Sequence, residues 1–80
     1  MNTYLDTKNR ILFLLEEHNI SIHSLSIKSG VAPSTIKNIL YGKSKNPGIV
    51  TIKMLCDGFG ISLFDFFNTE VFRSTDLENI

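Results

Sequence analysis

Apolar residues recur along this chain at helical rather than strand spacing. From Tyr4 to His18, the residues Tyr4, Leu5, Ile11, Leu12, Leu14 and Leu15 approximate a core stripe, with Asp6, Arg10, Glu16 and Glu17 turned to water. That pattern predicts a first helix, and Asn19 is its stop. Ser21 offers a side-chain oxygen as N-cap for a second helix, Ile22 to Ser29, with Leu25 as core anchor and Ser26 small enough to admit a neighbouring helix. Gly30 can take the positive φ that a Cβ penalises at a helix C-terminus. Pro33 opens a third helix over about residues 33–41, whose Ile36, Ile39 and Leu40 stand at i, i+3 and i+4. Its opposite face holds only Ser34, Lys37, Asn38 and Tyr41, so one side is aliphatic and the other polar or hydrogen-bonding.

The run Gly42-Lys43-Ser44-Lys45-Asn46-Pro47-Gly48 reads as a loop. A fourth helix from about Val50 to Gly58 buries Ile52, Leu55 and Cys56, with Phe59 just beyond. Ser62-Leu63-Phe64-Asp65 resembles a capping box with Asp in place of Glu, opening a short fifth helix through Phe67. After Asn68 the periodicity fades; Val71 and Phe72 are candidates to dock, and the last few residues are expected to fray. No internal repeat and no strand-period segment stands out. The expected fold is all-α: a compact bundle of about five short helices, with residues 1–68 as the folded unit and 69–80 as a tail, partly disordered or docking.

Eighty residues leave room for one core. Cys56 is the single cysteine, which excludes an internal disulfide and a multi-cysteine zinc site, and a reducing, cytoplasmic setting fits. The longest apolar run, Ile11 to Leu15, is too short for a membrane span. His18 and His23 lie across a helix break without a third ligand, so no metal site is assigned. No nucleophile stands paired with a base; no catalytic residue, cofactor or small-molecule ligand is expected.

Charge sharpens the picture. The formal net charge is zero, but residues 1–17 sum to −1, residues 18–56 to +5 and residues 57–80 to −4. The basic segment contains Lys28, Lys37, Lys43, Lys45 and Lys53 and no acid. Exposed charges are screened beyond about 8–10 Å at physiological salt, so this local field governs what the surface attracts. A basic surface coinciding with two short helices joined by a glycine turn is how a small domain offers a helix to the DNA major groove.

The ordered set Leu25, Gly30-Val31, Ser34-Thr35-Ile36, Gly42-Lys43, Pro47, Thr51, Leu55 and Phe59-Gly60-Ile61-Ser62-Leu63 resembles the lambda-repressor-like helix-turn-helix domain of the Cro and xenobiotic-response-element family, over about Leu12 to Phe67. The resemblance implies that the second helix braces across the phosphate backbone while the third inserts its N-terminal end into the major groove of double-stranded DNA. Pro33, Ser34, Lys37 and Asn38 would then face base edges. Ser21, the backbone amide of Ile22, Lys43, Ser44, Lys45 and Asn46 would face phosphates. Side-chain chemistry agrees: lysine donates to guanine O6 and N7, and an asparagine amide pairs with adenine N6 and N7. Helix N-terminal amides suit a phosphate oxygen, and mobile loop lysines release counterions. Three positions depart from the family pattern: Ile22 replaces a phosphate-bracing Gln, Ala32 replaces a Ser/Thr cap, and Pro33 replaces a residue that often reads a base.

The function expected from this resemblance is a small transcriptional regulator, a repressor acting as a homodimer on a near-palindromic operator. Phe64, Phe66, Phe67 and Phe72 are more than one short helix buries easily, and part of that cluster is a candidate two-fold seam. The rival is a protein-interaction module, antitoxin-like or anti-repressor, using the same helices; the neutral total charge and acidic tail favour it.

Overall fold

The computed structural model of the chain describes residues 2–78 and is built from six helices, with no strand among the described residues. They are α1 (Thr3–Glu17), α2 (Ile22–Ser29), α3 (Pro33–Leu40), α4 (Ile49–Phe59), α5 (Leu63–Phe67) and α6 (Glu70–Arg73). The expected bundle of about five helices gains a sixth, since Glu70–Arg73 forms a single turn. The expectation that the chain end frays falls partly on residues 79 and 80, which lie outside the described residues.

Local chemistry sets most boundaries. Ser21 and Ser62 cap α2 and α5, their hydroxyls accepting the amides of Ser24 and Asp65, each at 3.0 Å. Asn19 leaves α1 at φ 52°, and Gly30 closes α2 at φ 75° in the left-handed region. Ala32, at the N-cap of α3, makes no side-chain cap bond; its carbonyl instead accepts the amides of Thr35 and Ile36 at 3.0 and 3.2 Å.

One core unites the elements. Ile11 and Leu14 of α1, Leu25 of α2, Val31, the trio Ile36, Ile39 and Leu40 of α3, Ile52, Leu55, Cys56 and Phe59 of α4, and Phe66 of α5 are all buried. Burial, and secondarily the neighbouring Asp57 carboxylate, push the Cys56 thiol up from its ordinary range, as expected of a small core residue.

The stripe of α1 differs from its hydropathy pattern. Thr7 is buried with Ile11 and Leu14 at i, i+4 and i+7, whereas Leu5 and Leu12 are 45% and 42% exposed. Arg10 does not face water freely either: Nε and Nη2 donate to the carbonyls of Phe66 (2.9 Å) and Asp65 (3.0 Å), tying α1 to the end of α5. Three of the four C-terminal phenylalanines are satisfied within the chain. Phe66 meets Phe67 edge-on at 4.8 Å between ring centres, and Phe72 of α6 closes on Phe67 at 4.9 Å. Phe64 stands apart, 72% exposed.

Helices α2 and α4 approach closely at Gly58. A Cβ built on Gly58 would lie 2.8 Å from the Ser29 Cβ, 3.1 Å from the Ser29 Cα and 3.1 Å from the Leu25 Cδ1. Backbone and Cβ atoms cannot yield as a side-chain tip can. Alanine would gain about 1 kcal/mol of helix propensity there, but overpacking costs about 1–3 kcal/mol. Gly58→Ala should therefore lower the urea midpoint. An unchanged or raised midpoint would show that α2 and α4 can move apart freely.

Candidate nucleic-acid interface

The orientation of α3 follows from its burial. Ile36, Ile39 and Leu40 are at most 3% exposed, so the helix cannot rotate without bringing aliphatic surface into water. Its other face is open: Pro33, Ser34, Lys37 and Asn38 are exposed, and Tyr41 just after the helix is 72% exposed. The four residues assigned to base edges thus share one solvent-facing surface.

The residues assigned to phosphates are less uniform. Lys43, Lys45 and Asn46 are exposed on the loop between α3 and α4. Ser44 is half-buried, and its backbone amide is engaged, donating to the carbonyl of Asn38 at 2.9 Å. Ser21 is exposed; its oxygen accepts the Ser24 amide, and its hydroxyl proton remains a donor. The Ile22 side chain is half-buried against the core, so this position contributes its amide in the first turn of α2 and not its side chain.

Two features escaped the motif. Gly48 is the N-cap of α4 and provides no side-chain cap, so the first-turn amides of this helix, which begins at Ile49 just after the Lys45–Asn46 loop, receive no side-chain oxygen. Such amides, at the positive end of a helix dipole, suit an anion. The signal was legible as a glycine before an apolar run. Second, Lys53 is paired with Asp57 one helical turn on, both groups exposed, so part of the expected basic field is neutralised locally.

A cavity of about 720 Å³ lies behind the loop, bordered by Tyr4, Lys45, Pro47, Ile52, Phe67 and Glu78 among others. At its rim the Glu78 carboxylate accepts the Thr3 amide at 2.7 Å and the Thr3 hydroxyl at 2.9 Å. An anion at the N-terminus of α1 is favoured by the helix dipole.

A polar helix face exposed over a buried aliphatic one, preceded by a second helix and a glycine turn and followed by a lysine loop, defines a helix-turn-helix DNA-binding protein. The sequence profile of the Cro/C1-type HTH DNA-binding domain matches residues 10–71, and the chain belongs to that family. This is a family of DNA-binding transcription regulators and not a class of enzymes. The chain is also similar to a solved structure, the crystal structure of the prophage Lp1 protein 11, at 29% sequence identity and a TM-score of 0.80, over 94% of this chain and 100% of that one. No curated protein sequence matches at a significant level. Among the described residues, no helix is long and apolar enough to cross a membrane.

The Glu78 clasp sets an acid dependence. The Thr3 amide, and then its hydroxyl, hold the carboxyl below the usual carboxylate range. A depressed folded value stabilises the ionised form, so the clasp is complete at neutral pH and is lost as pH falls below the ordinary range and through the lowered value. The Thr3 amide resonance should titrate in that window, and Glu78→Gln should flatten the curve. A Thr3 amide indifferent to acid would contradict the clasp.

Proposed function

We propose that this protein is a sequence-specific double-stranded DNA-binding regulator, a small repressor that acts as a homodimer by occupying promoter DNA. The reading rests on one observation above all: Ser34, Lys37 and Asn38 are exposed on the face of α3 opposite Ile36, Ile39 and Leu40. Lys37 and Asn38 provide donors and an acceptor that match base edges in the major groove. Pro33 has no donor, and its ring offers apolar contact with a thymine methyl. Lys43, Lys45 and Asn46, with the amides at the starts of α2 and α4, contact the sugar-phosphate backbone and set the register.

Exposed apolar surface on α1 supports the homodimer. Leu5, Leu12 and Phe13 of α1 are exposed, and Phe13 shares a groove of about 330 Å³ with Val71 and Phe72. As a two-fold dimer on a near-palindromic operator, the protein would set its two copies of α3 on half-sites about 10–10.5 bp apart, one helical turn.

Selection of bound duplexes from a random pool, repeated at two salt concentrations, tests the reading. A near-palindromic consensus with steep salt dependence is expected. Retention of no duplex would overturn it in favour of a protein-binding role. Lys37→Ala and Asn38→Ala should each cost about 1–3 kcal/mol and relax preference at one position. Lys43→Ala or Lys45→Ala should instead weaken all sequences alike and lower the salt slope by about one. Altered base preference with an unchanged slope in Lys43→Ala would contradict the division between base and phosphate contacts.

A further inference from the structure

The last turn of α3 leaves carbonyls without helical partners, and the structure satisfies two successive ones from different directions. The carbonyl of Asn38 accepts the amide of Ser44, from the loop that follows. The carbonyl of Ile39 accepts the hydroxyl of Tyr4 at 2.6 Å, from the first turn of α1. Between these bonds the chain turns at Gly42, with φ +86°, and a Cβ built there would lie 3.8 Å from the Tyr4 hydroxyl. Tyr4 thus sits at the pivot where α3 passes the chain to its basic loop. Tyr4 also borders two clefts, and Lys45 borders both as well.

We infer that Tyr4 is a positioning residue for DNA binding, pinning the exit of α3 through the Ile39 carbonyl so that Lys45 is held toward the phosphate backbone. The inference rests on the DNA-binding reading above and deepens it. Tyr4 touches no nucleic acid in this account. It acts by fixing the backbone from which a mobile lysine extends, reducing the freedom that lysine loses when it engages a phosphate. The bond reaches across 35 residues of sequence, so it links α1, outside the helix-turn-helix, to the last turn of α3, from which the basic loop departs.

Tyr4→Phe keeps the ring and removes the one donor. With a duplex selected by the wild-type protein, titrated at about 50 and 200 mM salt, Tyr4→Phe should weaken binding about 3–10-fold, the range of one hydrogen bond. The salt slope should fall by about one, with base preference unchanged. In a Lys45→Ala background the same change should have no further effect on slope. Gly42→Ala, which strains the turn while leaving Tyr4 in place, should reproduce the slope loss and provides the reading if Tyr4→Phe fails to fold. Wild-type slope and affinity in the folded variants would overturn the inference while leaving the DNA reading intact. A wild-type protein that binds no duplex would overturn both.

Discussion

Ile36, Ile39 and Leu40 are aliphatic, and burying them decides how α3 sits. Each such side chain contributes about 1.5–3 kcal/mol when taken out of water. Rotating the helix to expose all three would cost an amount comparable to the whole stability of a small domain, about 5–15 kcal/mol. The polar face is thereby locked outward. The exposure of Ser34, Lys37 and Asn38 depends on that constraint. The near-contact of Gly58 with Ser29 and Leu25 adds to it, because it sets how closely α2, the helix before α3, lies on α4.

The surface around this face is basic by segregation and not by excess. Acids are confined to α1 and to the stretch from Asp57 onward, while five of the six lysines cluster between them. Folding modifies that partition in two places. Lys53 is paired with Asp57, and Glu78 is brought to the start of α1, on the rim of a cavity that Lys45 also borders. The positive field left over is concentrated on α3 and the loop after it, where counterion release would be greatest.

Much of this architecture was readable from local chemistry. Gly30, Pro33 and Ser62 signal helix ends through requirements of a single residue, and the α3 partition follows from a spacing of three and four. The stripe of α1 was misread for a definite reason: Thr7 does not score as apolar, yet it completes the buried series with Ile11 and Leu14, while Leu5 and Leu12 score highly and stay exposed. Contacts between distant positions were invisible. Arg10 reaches carbonyls 55 and 56 residues away, and Tyr4 reaches one 35 away. The single turn α6 has no side-chain cap bond, and it is the packing of Phe72 on Phe67 that gives it a partner. At the interface, side-chain identities were legible, whereas the engagement of the Ser44 amide and the uncapped start of α4 depend on how the loop folds back.

Backbone amide shifts recorded by NMR as duplex DNA is added report most directly on whether α3 enters the groove. The largest changes are expected at Ser34, Lys37 and Asn38 and along Lys43 to Asn46, attenuated as salt is raised. Changes confined to α5 and α6, with the α3 amides unmoved at saturating duplex, would contradict entry of α3 into the groove.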